Sequence, residues 1–146
     1  MNPYQNYFAN QIQTASPEKI MIMLYDGAIR FLRQARQAMA EGDRVGRMKK
    51  ISRVVAILTE LSNTLDFEKG GEIAENLDGL YWYMIRELTS VNISETAEPM
   101  DTAENILLEL REAWAQAIAE NKPESAAGAE SGPREEAPRK SMQASI

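Results

Sequence analysis

Apolar positions along the chain recur with the period of amphipathic helices, and no stretch alternates as a strand would. The first strong pattern follows Ser16-Pro17-Glu18-Lys19, with apolar residues at 20 through 25, then 28, 29, 31, 32, 35, 38 and 39. Ser16 can cap free backbone N–H groups, Pro17 has its φ set for a first turn, and Glu18 suits the positive end of the helix dipole. This spacing predicts a helix from about Pro17 to Glu41, stopped at Gly42, with Asp43 capping the next. A second helix, about Arg44 to Leu65, carries Met48 and a seam of Ile51, Val54, Leu58, Leu61 and Leu65, widened by Val55 and Ile57. Asp66 to Gly71, charged and glycine-terminated, reads as a loop. A third helix, about Glu72 to Ile93, places Ile73, Leu77, Leu80, Met84, Leu88 and Val91 on one core face. Trp82, Ile85, Thr89 and Ile93 fall outside it, so that second face is either a broad core or a docking surface. After a loop from Ser94 to Met100, Asp101 and Glu104 resemble a capping box opening a fourth helix, which ends near Asn121.

Four helices with short connections predict an all-α fold, an antiparallel up-down-up-down four-helix bundle over residues 16–121. Residues 1–15 are polar with spaced anchors, among them Tyr4, Tyr7, Phe8 and Ile12. They form either a staple at one end of the domain or a detachable lid over an apolar groove. Residues 122–146 are rich in Pro, Glu, Ser, Ala, Gly and Arg. Such a composition buries too little surface to offset an ordering entropy of roughly 1–2 kcal/mol per residue, so a disordered tail is expected.

Composition narrows the chemistry. The 146 residues include no Cys and no His. Disulfides, thiol nucleophiles, common zinc sites and His-based proton transfer are therefore excluded, and an enzyme is not expected. The Glu-x-x-His pair of a di-iron bundle is missing for the same reason. No cofactor or metal is expected. No apolar run approaches the ~20 residues of a membrane span, and the N-terminus lacks a signal-type core, which points to an unprocessed cytoplasmic protein with no membrane insertion.

The net charge of −6 conceals an asymmetry. Between Arg30 and Arg53 eight basic residues stand against two acidic ones, whereas Val54 to Lys122 is strongly acidic. The basic stretch is either a solvated helix face or a patch at the pole joining the first two helices. A nucleic-acid-binding bundle using that pole is thus an alternative function, although interleaved aromatics are lacking and no nucleic acid is expected among the partners.

The apolar surface exceeds what a bundle core needs. Six apolar residues in succession in the first helix, with Trp82 and Ile85 in the third, suggest a groove for an amphipathic partner helix. Abundant Met would let such a surface adapt.

Several segments carry a family resemblance: Thr14-Ala15-Ser16-Pro17-Glu18-Lys19, Met23-Leu24-Tyr25-Asp26-Gly27-Ala28, Leu65-Asp66 with Glu68-Lys69-Gly70-Gly71-Glu72-Ile73-Ala74, Asn76-Leu77 with Leu80-Tyr81 and Tyr83-Met84, and Ala113-Trp114. In order and spacing, from about Asn2 to Ile118, they resemble the flagellar secretion chaperone FliS family. The resemblance implies a small antiparallel bundle that holds newly made flagellin in the cytoplasm, blocks premature polymerisation and assists delivery to the flagellar type III export gate. It further implies that the guest is the disordered C-terminal segment of flagellin, turned helical as it wraps the bundle. An N-terminal aromatic segment able to lie over the bundle is also implied, and Tyr4 and Tyr7 match it. The loop from Ser94 to Met100 and the tail after Lys122 depart from the family pattern. Contact candidates are Ile22, Tyr25, Ile57, Leu61, Trp82, Tyr83 and Ile85, with Tyr4, Tyr7 and Ile12 as the lid; Tyr25 and Leu61 are also the strongest candidates for core. A weak homodimer through exposed faces is a further alternative.

Overall fold

A computed structural model describes residues 16–121, so the predicted lid (Tyr4, Tyr7, Ile12) and the predicted tail lie outside the described residues. The fold is an all-α bundle of four helices: α1 (Pro17–Ala40), α2 (Arg44–Asn63), α3 (Phe67–Ser94) and α4 (Glu98–Asn121). α1 packs against α2 and α4, and α3 against the same two, so the helices form a closed ring. Across the α1–α4 seam, Asp26 pairs with Arg111, Arg33 with Glu104 and Arg36 with Asp101. The partners run in opposite chain order, so the two helices are antiparallel.

Local chemistry sets the helix starts. Ser16 Oγ accepts from the Lys19 N–H at 3.2 Å, with Pro17 in the first turn. Asp43 accepts from the Gly46 N–H at 2.9 Å, and Asp66 from the Lys69 N–H at 3.0 Å. Each cap satisfies one orphan donor of a helix terminus.

Two predicted boundaries shift. Phe67 to Gly70 is helical rather than loop, because the Asp66 cap starts a turn there. The turn breaks from the main body of α3 at Gly71, whose φ of 51° and ψ of −126° are hostile to any side chain. α4 begins at Glu98, one turn before the predicted capping box. Asp101 and Glu104 cap nothing; both carboxylates accept from Arg36, and Glu104 also accepts from Arg33. Long-range charge pairing has displaced the local motif.

The core is built from Met21, Tyr25, Ala28, Ile29, Leu32 and Ala35 of α1 and Ile51, Val54, Leu58 and Leu61 of α2. α3 adds Leu77, Tyr81, Met84, Leu88 and Val91, and α4 adds Met100, Ala103 and Leu107. Full burial of each large member stabilises by roughly 1.5–3 kcal/mol. The α3 face is turned slightly from the predicted one: Ala74 and Tyr81 are buried, Leu80 is half-buried and Ile73 is exposed. Among the described residues, no helix is long and apolar enough to cross a membrane.

Candidate functional site

The motif around Tyr25 serves the interior. Tyr25 and Leu61 are both 0 % exposed. They belong to the core and offer no surface to a partner, which corrects their place among the contact candidates. Burial has a polar consequence. The Tyr25 and Tyr81 hydroxyls lie 2.6 Å apart, and Trp114 Nε1–H donates to the Tyr25 hydroxyl at 3.0 Å. Three helices are tied together by this chain, because Tyr25 is on α1, Tyr81 on α3 and Trp114 on α4. Burial pushes the Tyr25 hydroxyl above its ordinary pKa, against the pull of its bonds to Tyr81 and Trp114. It pushes Tyr81 up as well, with the neighbouring Tyr25 acting in the same direction. Neighbouring motif residues are structural too. Asp26 accepts from Arg111 through both carboxylate oxygens, and Gly27 is buried against α2, where a Cβ would make an ordinary contact with Ile57 Cδ1 at 3.5 Å.

The remaining candidates are accessible in different degrees. Trp82 is 45 % and Tyr83 37 % exposed, whereas Ile22, Ile57 and Ile85 are half-buried. Helical geometry at 100° per residue assigns each to a groove. Ser62 donates to Asp78, and Arg44 is paired with Glu95, so these residues mark the α2–α3 seam. Trp82 and Ile85 lie four and seven residues after Asp78 and share that flank of α3. Tyr83 points to the opposite flank, towards α4, with the Arg86 guanidinium over its ring at 5.9 Å. Ile57 meets Gly27 and therefore belongs to the α1–α2 groove. Ile22 lies one turn before Asp26, on the α4 side of α1. Only Trp82 and Ile85 are brought together; the others are distributed one to a groove.

Additional exposed apolar side chains join them. Ile73 is 60 % and Ile93 87 % exposed, with Met48, Val45, Phe67 and Leu108 also reaching the surface. Met48 lies on the α2–α3 flank, one turn after Arg44 of the Arg44–Glu95 pair.

Half of the basic stretch is engaged. Arg33 and Arg36 are paired with α4 carboxylates, Arg44 with Glu95, and Arg47 is buried, its Nε without a hydrogen-bond partner among the described residues. The stretch is therefore no continuous basic pole. Arg30, Lys50 and Arg53 instead gather around the Phe31 ring midway along α1 and α2.

A small helical bundle whose outer grooves carry exposed apolar side chains has the outline of a protein-binding module. Comparison with known proteins makes this particular. The profile of the family described as flagellar protein FliS matches residues 1–121, and the chain belongs to the FliS family. It is 41 % identical over 106 residues to the flagellar secretion chaperone FliS of Salmonella typhimurium, covering 72 % of this chain and 78 % of the relative. It is 40 % identical over 111 residues to that of Campylobacter jejuni, covering 76 % of this chain and 87 % of the relative. A solved bacterial flagellar chaperone superposes with a TM-score of 0.68 over 80 % of this chain and 95 % of its own, at 20 % identity, which is a likeness of fold. The family comprises chaperones, a non-enzymatic class.

Proposed function

We propose that this chain is a cytoplasmic flagellar export chaperone whose guest is the disordered C-terminal segment of flagellin. Bound there, the segment is withheld from helix-to-helix pairing in the filament, so premature polymerisation is blocked. The loaded chaperone is then delivered to the flagellar type III export gate. The observation that carries this reading is the exposed apolar surface, above all Trp82 on the α2–α3 flank beside the half-buried Ile85. Ile22, Ile57 and Tyr83 lie in the other three grooves. A short helix cannot touch all of these positions, whereas a long segment wound around the bundle can. A guest disordered beforehand must be ordered on binding, so affinity falls short of what the buried area alone would give.

The test is co-purification and titration with a flagellin C-terminal peptide. The expected result is a one-to-one complex with a gain of helical circular dichroism. Trp82→Glu and Tyr83→Ala, both at exposed positions, keep the native melting profile and weaken binding by roughly tenfold or more each, on the order of 1.4 kcal/mol. Full-strength binding by both folded variants would remove these positions from the site.

A further inference from the structure

The structure holds a second candidate surface, on the α1–α2 face. The side-chain cations of Arg30, Lys50 and Arg53 stand 5.4, 5.5 and 5.5 Å from the centroid of the half-buried Phe31 ring. Any two of them are thus within roughly 11 Å, about one Debye length at 0.1 M salt. None of the three is in an ion pair among the described residues, in contrast to Arg33, Arg36, Arg44 and Arg111. Like charges converging on one ring repel, and the face of the ring offsets this only in part. A negative partner would relieve the repulsion and collect three charge-assisted contacts.

We propose that this face docks an acidic segment of another protein, with carboxylates at helical spacing and an apolar side chain for the edge of the Phe31 ring. Charge complementarity selects the occupant. The cluster is compact and local: of the other basic residues between Arg30 and Arg53, Arg33, Arg36 and Arg44 are paired, Arg47 is buried and Lys49 is exposed without an ion pair among the described residues, while the whole chain carries a net charge of −6. A nucleic acid needs an extended track of cations, which this surface does not continue. An acidic peptide needs only a patch of this size. Trp82 and Ile85 of the flagellin reading lie on the α2–α3 flank, away from this face; the flagellin candidate on this face is Ile57, an apolar contact, whereas this proposal rests on charge.

The experiment uses the full chain and two fluorescein-labelled amphipathic helical peptides of equal length, one with Glu at i, i+4 positions around Leu residues and one with Gln replacing every Glu. Anisotropy titrations are run at 50 and 300 mM salt. The Glu peptide is expected to bind at least tenfold tighter than the Gln peptide at low salt and to lose most of that advantage at high salt. The R30Q/K50Q/R53Q variant is expected to abolish the difference while keeping the parent's melting profile. Equal binding of the two peptides, or an unchanged Glu-peptide affinity in the triple variant, would overturn the proposal. Tighter binding of oligouridylate than of the Glu peptide would replace it with a nucleic-acid surface. Salt-sensitive self-association that the triple variant loses would replace it with a contact between copies.

Discussion

At the scale of single residues, the buried hydroxyl chain is the least replaceable polar feature. Removing the Tyr25 hydroxyl leaves the Trp114 N–H and the Tyr81 hydroxyl without their partner inside the bundle. Tyr25→Phe is therefore expected to destabilise by about 1–3 kcal/mol. Tyr81→Phe leaves the Trp114 bond intact and is expected to cost less. Thermal denaturation of the two variants and their double mutant measures the coupling. The same pair sets an alkaline limit. Both folded pKa values are raised, so the native state holds these protons more tightly than the unfolded chain. Their contribution is complete below the ordinary tyrosine value of about 10 and is lost as pH rises above it towards the folded values. Tyrosinate absorbance should show two of the five tyrosines titrating only together with loss of helical dichroism. Titration of all five before unfolding would contradict this.

Glu104 supplies the acid-side counterpart. Burial raises its carboxyl pKa, but the hydrogen bonds from Arg36 and Arg33 outweigh burial and leave it lowered. Its stabilising contribution is present above the ordinary carboxylate range and is lost as pH falls through the lowered folded value. Glu104→Gln should flatten the acid limb of a melting-temperature profile below about pH 5 while changing the alkaline limb little.

At the scale of elements, two glycines within predicted motifs have opposite requirements. Gly71 has a backbone conformation closed to other residues. Gly71→Ala should destabilise by about 1–3 kcal/mol, with the change concentrated where the Phe67–Gly70 turn meets the body of α3. Gly27 is helical, and an added Cβ would make an ordinary contact with Ile57. Gly27→Ala should be neutral or stabilising by up to about 1 kcal/mol through helix propensity. Melting temperatures of the two variants check the contrast. A stabilised Gly71→Ala protein would overturn the account of the kink.

The elements also show what could be read in advance. α1 and α2 begin where predicted, because caps and apolar periodicity are local properties of the chain. The start of α4 was misplaced because Asp101 and Glu104 satisfy a short-range pattern and a long-range one alike. Only the arginines of α1 decide between them. Trp82 was recognised as lying outside the α3 seam, and it is exposed. Tyr25 and Leu61 stand in the sequence both as contact candidates and as the strongest candidates for core, since a wide apolar face does not state which edge a neighbouring helix covers; both are buried.

For the whole molecule, the distribution of the candidate contacts over four grooves predicts cooperative use of the surface. Binding of a long flagellin peptide should depend weakly on salt, because its contacts are apolar, whereas the proposed Phe31 face depends on it strongly. Truncating the peptide to a single helix should lower affinity well beyond the loss of one contact, as the tethered segments stop reinforcing one another. Trp82 offers a direct readout: its emission should shift to the blue on binding, and this shift should vanish in Trp82→Phe while the signal of the core-packed Trp114 remains. An unchanged Trp82 environment in a saturated complex would exclude the α2–α3 flank from the guest path.

The sequence by itself determined the number of helices, their approximate limits, the helical class and the family. Those follow from the apolar period, from Ser16, Asp43 and the other caps, and from short connections that force adjacent helices to pack. Tertiary structure alone decided which apolar side chains were consumed. Burial depends on the rotation of each helix against two neighbours, and a turn of a few tens of degrees sends Tyr81 inward and Ile73 outward. It also decided the fate of charge, because pairing is set by distances across helices. Arg33 and Arg36 meet carboxylates on α4, while Arg30, Lys50 and Arg53 gather at the ring of Phe31 without an ion pair among the described residues.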